Sequence, residues 1–139
     1  MDSTYTQSMK SHIKQLESEL RGLTDILQER PLSKYEYRAS ERTVQIIIEA
    51  CIGIAKHWCK QLGQPAPESA YAAFQMLSDS GIEEVKQTRW KQIIGMRNAL
   101  VHDYLNIDKE IIEHLIRERH YQSLVQFAFT GLEGLSLSK

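Results

Sequence analysis

Within eight residues, Arg97 to Tyr104, the run "RNALVHDY" places an arginine, an asparagine, a histidine and a tyrosine together. A guanidinium makes bidentate contact with phosphate. An imidazole changes charge near neutral pH and can move a proton as general acid or base. Asn98 can orient a ligand or the imidazole. No acidic trio, Cys/His set or His-Glu-x-x-His motif accompanies these residues, so a metal site has little support. There is also no glycine-rich loop to cradle a nucleoside triphosphate. Arginine plus histidine without a metal suits cleavage of a phosphodiester by its own neighbouring 2'-hydroxyl, which points to RNA.

The helix that must carry these residues makes their placement unusual. Taking Arg97 as zero and about 100° per residue, Trp90 lies about 20° away, Val101 about 40°, Ile94 about 60°, and Tyr104 about 20° on the other side. Arg97 thus occupies the centre of the apolar stripe. Asn98 and His102 are four apart and stack on its shoulder. Arg97 and His102 diverge by about 140° on a regular helix. They converge on one ligand only if the helix turns or ends here, or if a second subunit supplies one of them. A buried guanidinium needs a counter-charge, a wet cleft or a subunit interface. Glu41 and Glu49, on or beside the stripe of the second helix, are the candidate counter-charges. A core role for His102 and Tyr104 is the competing reading of each residue taken singly.

The remaining chain reads as helices throughout. Met9, Ile13, Leu16, Leu20, Leu23 and Leu27 form one narrow apolar seam, fit for the bundle or for a dimer contact, and Pro31 stops it. "SKYE" (Ser33 to Glu36) is a capping box, and the face from Val44 to Leu62 ends at Gly63 and Pro65. A shorter helix is expected from Pro67 to Asp79, and a fourth from Glu83–Glu84, acids suited to the positive helix end. "NID" (Asn106 to Asp108) is a break with an Asp cap. One last helix is expected to use Ile111, Ile112, Leu115, Leu124, Val125, Ala128 and Leu132 as core. No stretch alternates with period two. The expected fold is all-α: an up-and-down bundle of four long helices and one short one, forming a single domain over residues 1–139.

Composition narrows the class further. The 139 residues are 42% hydrophobic and 25% charged, with a formal net charge of −1. That balance lacks the basic surplus of a nucleic-acid reader, so contact with RNA must rest on local charge. Cys51 and Cys59 fall on one apolar helix face, too far apart to bridge, and read as reduced core thiols. The N-terminus has no signal-peptide pattern, and the longest apolar stretch, Ile46 to Ala55, is short and contains Glu49. A cytoplasmic protein with no membrane span is expected. His57 reads as a boundary side chain. His114 and His120 belong to a charged face with Glu113, Arg117 and Arg119, able to touch RNA or a partner. Trp58 and Trp90 read as core.

"RNALVHDY" resembles the Arg-x4-His-x-Tyr motif of HepT-like toxins, in the HEPN superfamily of small helical ribonucleases. The resemblance takes in "PESAYAAFQMLSDSGI" (Pro67 to Ile82) and "RNALVHDYLNID" (Arg97 to Asp108). It implies a metal-independent, cofactor-free endoribonuclease that acts as a homodimer, with two motifs facing each other across the dimer cleft. Arg97 would bind the scissile phosphate, His102 would transfer the proton, and Asn98 would support orientation. The expected product end is a 2',3'-cyclic phosphate. The partner implied is a minimal nucleotidyltransferase antitoxin that transfers AMP from ATP to the motif tyrosine, here Tyr104. The alternative is a non-catalytic helical dimer that binds a nucleotide or a partner protein.

Overall fold

Pro31 and the Ser33–Glu36 box divide the first two helices, α1 (Ser3–Glu29) and α2 (Lys34–Gln61). Ser33 Oγ accepts the Glu36 amide at 3.1 Å while the Ser33 amide donates to Glu36 Oε1 at 2.8 Å. The Arg30 guanidinium grips both Glu36 carboxylate oxygens at 2.8 Å, tying the end of α1 to the start of α2. That bidentate contact, then the Ser33 amide, lower the Glu36 carboxyl to about 2.

The computed structural model describes residues 3–102 and 107–137. Beyond α2 these form α3 (Ala70–Asp79), a 3-10 turn (Glu83–Gln87), α4 (Trp90–His102), α5 (Lys109–Arg117) and α6 (Tyr121–Leu137). The fold is all-α, with no strand among the described residues. The narrow α1 seam is spent inside the bundle: Ile13, Leu16, Leu20 and Leu23 are buried, and α1 packs on α2, α5 and α6. No helix is long and apolar enough to cross a membrane. α2 and α6 pack tightly at Gly131, where a Cβ would come within 2.6 Å of Ile54 Cγ2. Glycine there leaves room for the Ile54 and Trp58 side chains against the α6 backbone.

Two expected boundaries move. α3 starts at Ala70 rather than Pro67, because Ser69 Oγ accepts the Ala72 amide at 3.1 Å and caps the helix. Glu83 and Glu84 start the 3-10 turn, and α4 begins only at Trp90. Thr88 between them is extended, and the Trp90 indole Nε1 donates back to the Val85 carbonyl at 2.9 Å. Asp108 caps α5 as expected, accepting the Glu110 amide at 2.9 Å.

The expected last helix is two helices. Arg119 adopts φ 56°, His120 N donates to Leu115 O at 2.9 Å, and Arg119 N donates to Ile116 O at 3.2 Å. This is the Schellman pattern that Gly63 and Gly81 also form, made here by an arginine. Thr24 of α1 holds the break from inside, with its Oγ1 2.8 Å from both the Ile116 carbonyl and the Tyr121 hydroxyl. Ile111 lies off the buried Ile112–Leu115–Ile116 face of α5 and is 52% exposed, contrary to its expected core role, and Leu62 also lies outside the core at 41%. Glu113, expected on a charged face, is instead buried 3.8 Å from Lys109 Nζ.

Candidate active site

α4 is anchored at its first residue and exposes its last two. Trp90 is buried, stacked on Phe74 of α3 at 3.8 Å and edge-on to Phe127 of α6 at 4.9 Å. Ile94 and Leu100 continue the buried stripe against α2, whereas Val101 is 40% exposed. The stripe is therefore anchored at its start and leaves the core only at Val101.

Arg97 sits on the stripe between Ile94 and Leu100 and is half-buried. Its guanidinium Nε is shielded from solvent and has no hydrogen-bond partner. The counter-charges expected on α2 do not reach it. Glu41 lies against the Tyr37 phenol, which is pushed above its ordinary value by burial first and by Glu41 next. Glu49 is exposed and takes only a 3.5 Å bond from Gln45 Nε2. Among the described residues no carboxylate forms an ion pair with Arg97. A partly desolvated guanidinium with an unpaired N–H costs about 1–3 kcal/mol, and an external anion or a second surface can remove that cost.

Asn98 and His102 are exposed on the flank of the same helix, four residues apart. α4 stays helical through His102, so it does not turn to bring His102 beside Arg97, and the two directions remain about 140° apart. The structure thus brings Asn98 and His102 together and sets Arg97 apart from both. Tyr104 lies outside the described residues.

The other polar candidates resolve as structure or surface. His57 is half-buried against the Tyr5 ring, 4.7 Å between centroids. His114 and His120 are exposed, 5.2 Å apart across the α5–α6 break, and line an open groove of about 700 Å³. Cys51 and Cys59 are buried free thiols donating to the Leu124 and Ala73 carbonyls, and burial pushes the Cys51 thiol well up. Among the described residues no three or more of His, Cys, Asp and Glu gather to hold a metal ion. Two features escaped the sequence reading: Lys91 shares the helix face of Asn98 and His102, and Thr88 Oγ1 is buried with no partner. The first was accessible to helix arithmetic once the start of α4 was known. The second needs coordinates.

The described residues thus form an all-helical fold that carries half-buried Arg97 and exposed Asn98 and His102 on one helix. The family model described as "Ribonuclease HepT-like" matches residues 9–129. The chain belongs to the HepT-like ribonuclease family. A curated relative named "mRNA nuclease HepT", from Shewanella oneidensis, is 32% identical over 85 residues. That match covers 60% of this chain and 63% of the relative, so the chain matches under two thirds of the relative's length. A solved structure described as "Crystal structure of the toxin-antitoxin with AMP-PNP" superposes with a TM-score of 0.75 at 21% identity. It covers 94% of this chain and 99% of its own, and at that identity it establishes the shared fold.

Proposed function

We propose that this protein, acting as one helical domain, is the toxin of a toxin–antitoxin pair and an endoribonuclease. The observation that carries the reading is the half-buried Arg97 guanidinium, which pairs with no carboxylate among the described residues, on the same helix as exposed Asn98 and His102. A scissile phosphate supplies the missing anion. Two α4 helices from a cytoplasmic homodimer face each other, so that Arg97 and His102 meet on one substrate although a single helix keeps them apart. The RNA 2'-oxygen attacks phosphorus, its proton passes to imidazole, and the 5'-oxygen leaves with a proton from imidazolium. The ends are a 2',3'-cyclic phosphate and a 5'-hydroxyl. Arg97 stabilises the charge that builds on the phosphoryl oxygens, Asn98 orients, and no metal takes part.

The antitoxin is a minimal nucleotidyltransferase that moves AMP from ATP onto Tyr104. Three residues beyond Val101 in the sequence, an adenylyl group on Tyr104 would add a competing phosphate and bulk at the cleft.

The test compares wild type, Arg97→Ala and His102→Ala for RNA cleavage and growth arrest. Both variants should lose activity while remaining folded dimers, and full toxicity in either sinks the assignment. A chelator should leave cleavage unchanged. Mass spectrometry after incubation with the neighbouring nucleotidyltransferase and ATP should place adenylyl mass on Tyr104; mass elsewhere removes that part of the reading.

A further inference from the structure

A second surface lies at the opposite end of α4 from His102. Where α3, the 3-10 turn and the start of α4 meet, a groove of about 370 Å³ is lined by Tyr71, Ser78, Lys86, Thr88, Arg89 and Lys91 among others. Three of the lining residues are cations and none is acidic. In a chain of net charge −1, that local imbalance is the positive patch its composition does not announce.

The cations are available. Arg89 and Lys91 are exposed and form no ion pair among the described residues, while Lys86 is held at 3.3 Å by exposed Glu83. The nearby Asp79 is occupied by Gln75 Nε2 at 3.0 Å. Tyr71 is 45% exposed at the rim, tethered only by its hydroxyl, which donates to Gln75 at 3.3 Å. Thr88 Oγ1, on the wall shared with the neighbouring larger groove, is shielded from solvent and unpaired. An anionic ligand with hydrogen-bonding groups and flat rings answers all three features. The volume suits one nucleotide.

The groove and the candidate active site share one face of α4. Lys91, Asn98 and His102 lie about 120°, 100° and 140° from Arg97, in one row down α4. Gly95 falls between them, exposed, with open space where a Cβ would be. From Lys91 to His102 the row is about 16 Å long. A strand laid on it meets a cation, a bare backbone, an amide and an imidazole in turn.

We propose that the Lys86–Arg89–Lys91 groove with Tyr71 is a single-stranded RNA subsite that holds the strand flanking the bond cut at Arg97 and His102. Backbone phosphates meet Arg89 and Lys91, and a base stacks on Tyr71, the combination that binds single strands with little sequence preference. The proposal rests on the ribonuclease reading given above.

The test titrates wild type, Arg89→Ala/Lys91→Ala and Tyr71→Ala with a short fluorescent oligouridylate at several salt concentrations, and assays cleavage of a longer RNA in parallel. The double variant should bind about tenfold more weakly at low salt, with its salt slope reduced by about 1.4, as expected for two lost single-strand phosphate contacts. Tyr71→Ala should weaken binding by about tenfold with an unchanged slope. Arg89→Lys/Lys91→Arg should restore both affinity and slope. These side chains are exposed, and unchanged thermal melts should confirm intact folds. If wild type binds and cuts RNA and the double variant matches it in affinity and slope, the subsite is wrong and the ribonuclease reading stands. The same holds if the double variant loses only its association with the antitoxin, which would make the groove a protein-docking surface. If wild type neither binds nor cuts, the ribonuclease reading itself fails, and the subsite with it.

Discussion

The rings of Phe74 and Trp90 lie parallel, 10° apart in plane and 3.8 Å apart in centroid, and this stack fixes where the motif helix begins. Phe74 belongs to α3 and Trp90 is the first residue of α4, so the contact joins the two elements that carry the resemblance to the family. Every angle along α4, including that of Arg97, is set from this anchored end.

Truncating the anchor should therefore loosen the whole motif helix. Trp90→Ala should cost about 3–5 kcal/mol of stability, read by urea denaturation. Trp90→Phe should cost less, keeping much of the ring packing and losing the bond from Nε1 to the Val85 carbonyl, worth about 1 kcal/mol.

Arg97 should be dispensable for folding. With no ion pair among the described residues, Arg97→Met removes a partly desolvated charge and breaks no described contact of that kind. Stability should stay within about 1 kcal/mol of wild type or rise, while RNA cleavage is lost. A collapse of the melting transition would instead favour a structural polar network.

At the α5–α6 break, Arg119→Gly should stabilise the protein by up to about 1 kcal/mol. Glycine occupies the left-handed φ of 56° without the steric cost borne by an arginine side chain, less the extra freedom it gives the unfolded chain. A fall in Tm would contradict this account of the turn.

Thr24→Val keeps the shape and removes the hydroxyl that meets the Ile116 carbonyl and the Tyr121 hydroxyl. The expected loss is about 1–3 kcal/mol. Combined with Tyr121→Phe the losses should be non-additive, because the two hydroxyls share one network.

Glu36 links α2 to pH. Its folded carboxyl is lowered from 4.5 to about 2, chiefly by Arg30, so its stabilising effect is full above the ordinary value and fades as pH falls from 4.5 through 2. Arg30→Ala should flatten that part of the acid-denaturation curve. Ser33→Ala should remove about 1 kcal/mol from the α2 cap.

The sequence by itself determined the helices and most of the core. Apolar spacing of three and four residues can only be satisfied by helices packing together, and the Ser33, Gly63 and Asp108 signals act through their nearest neighbours. It also located Arg97 on the apolar stripe, because helix rotation is arithmetic. Tertiary structure decided what local chemistry does not encode. The break at Arg119 carries no glycine or proline and depends on Thr24, far away in the chain. The start of α4 waits on Trp90 finding Phe74 and Val85. Whether Glu41 or Glu49 would neutralise Arg97 was a question of distance between helices, and neither forms an ion pair with that guanidinium. The cations beside Tyr71 come from neighbouring elements, and only packing gathers them into one groove.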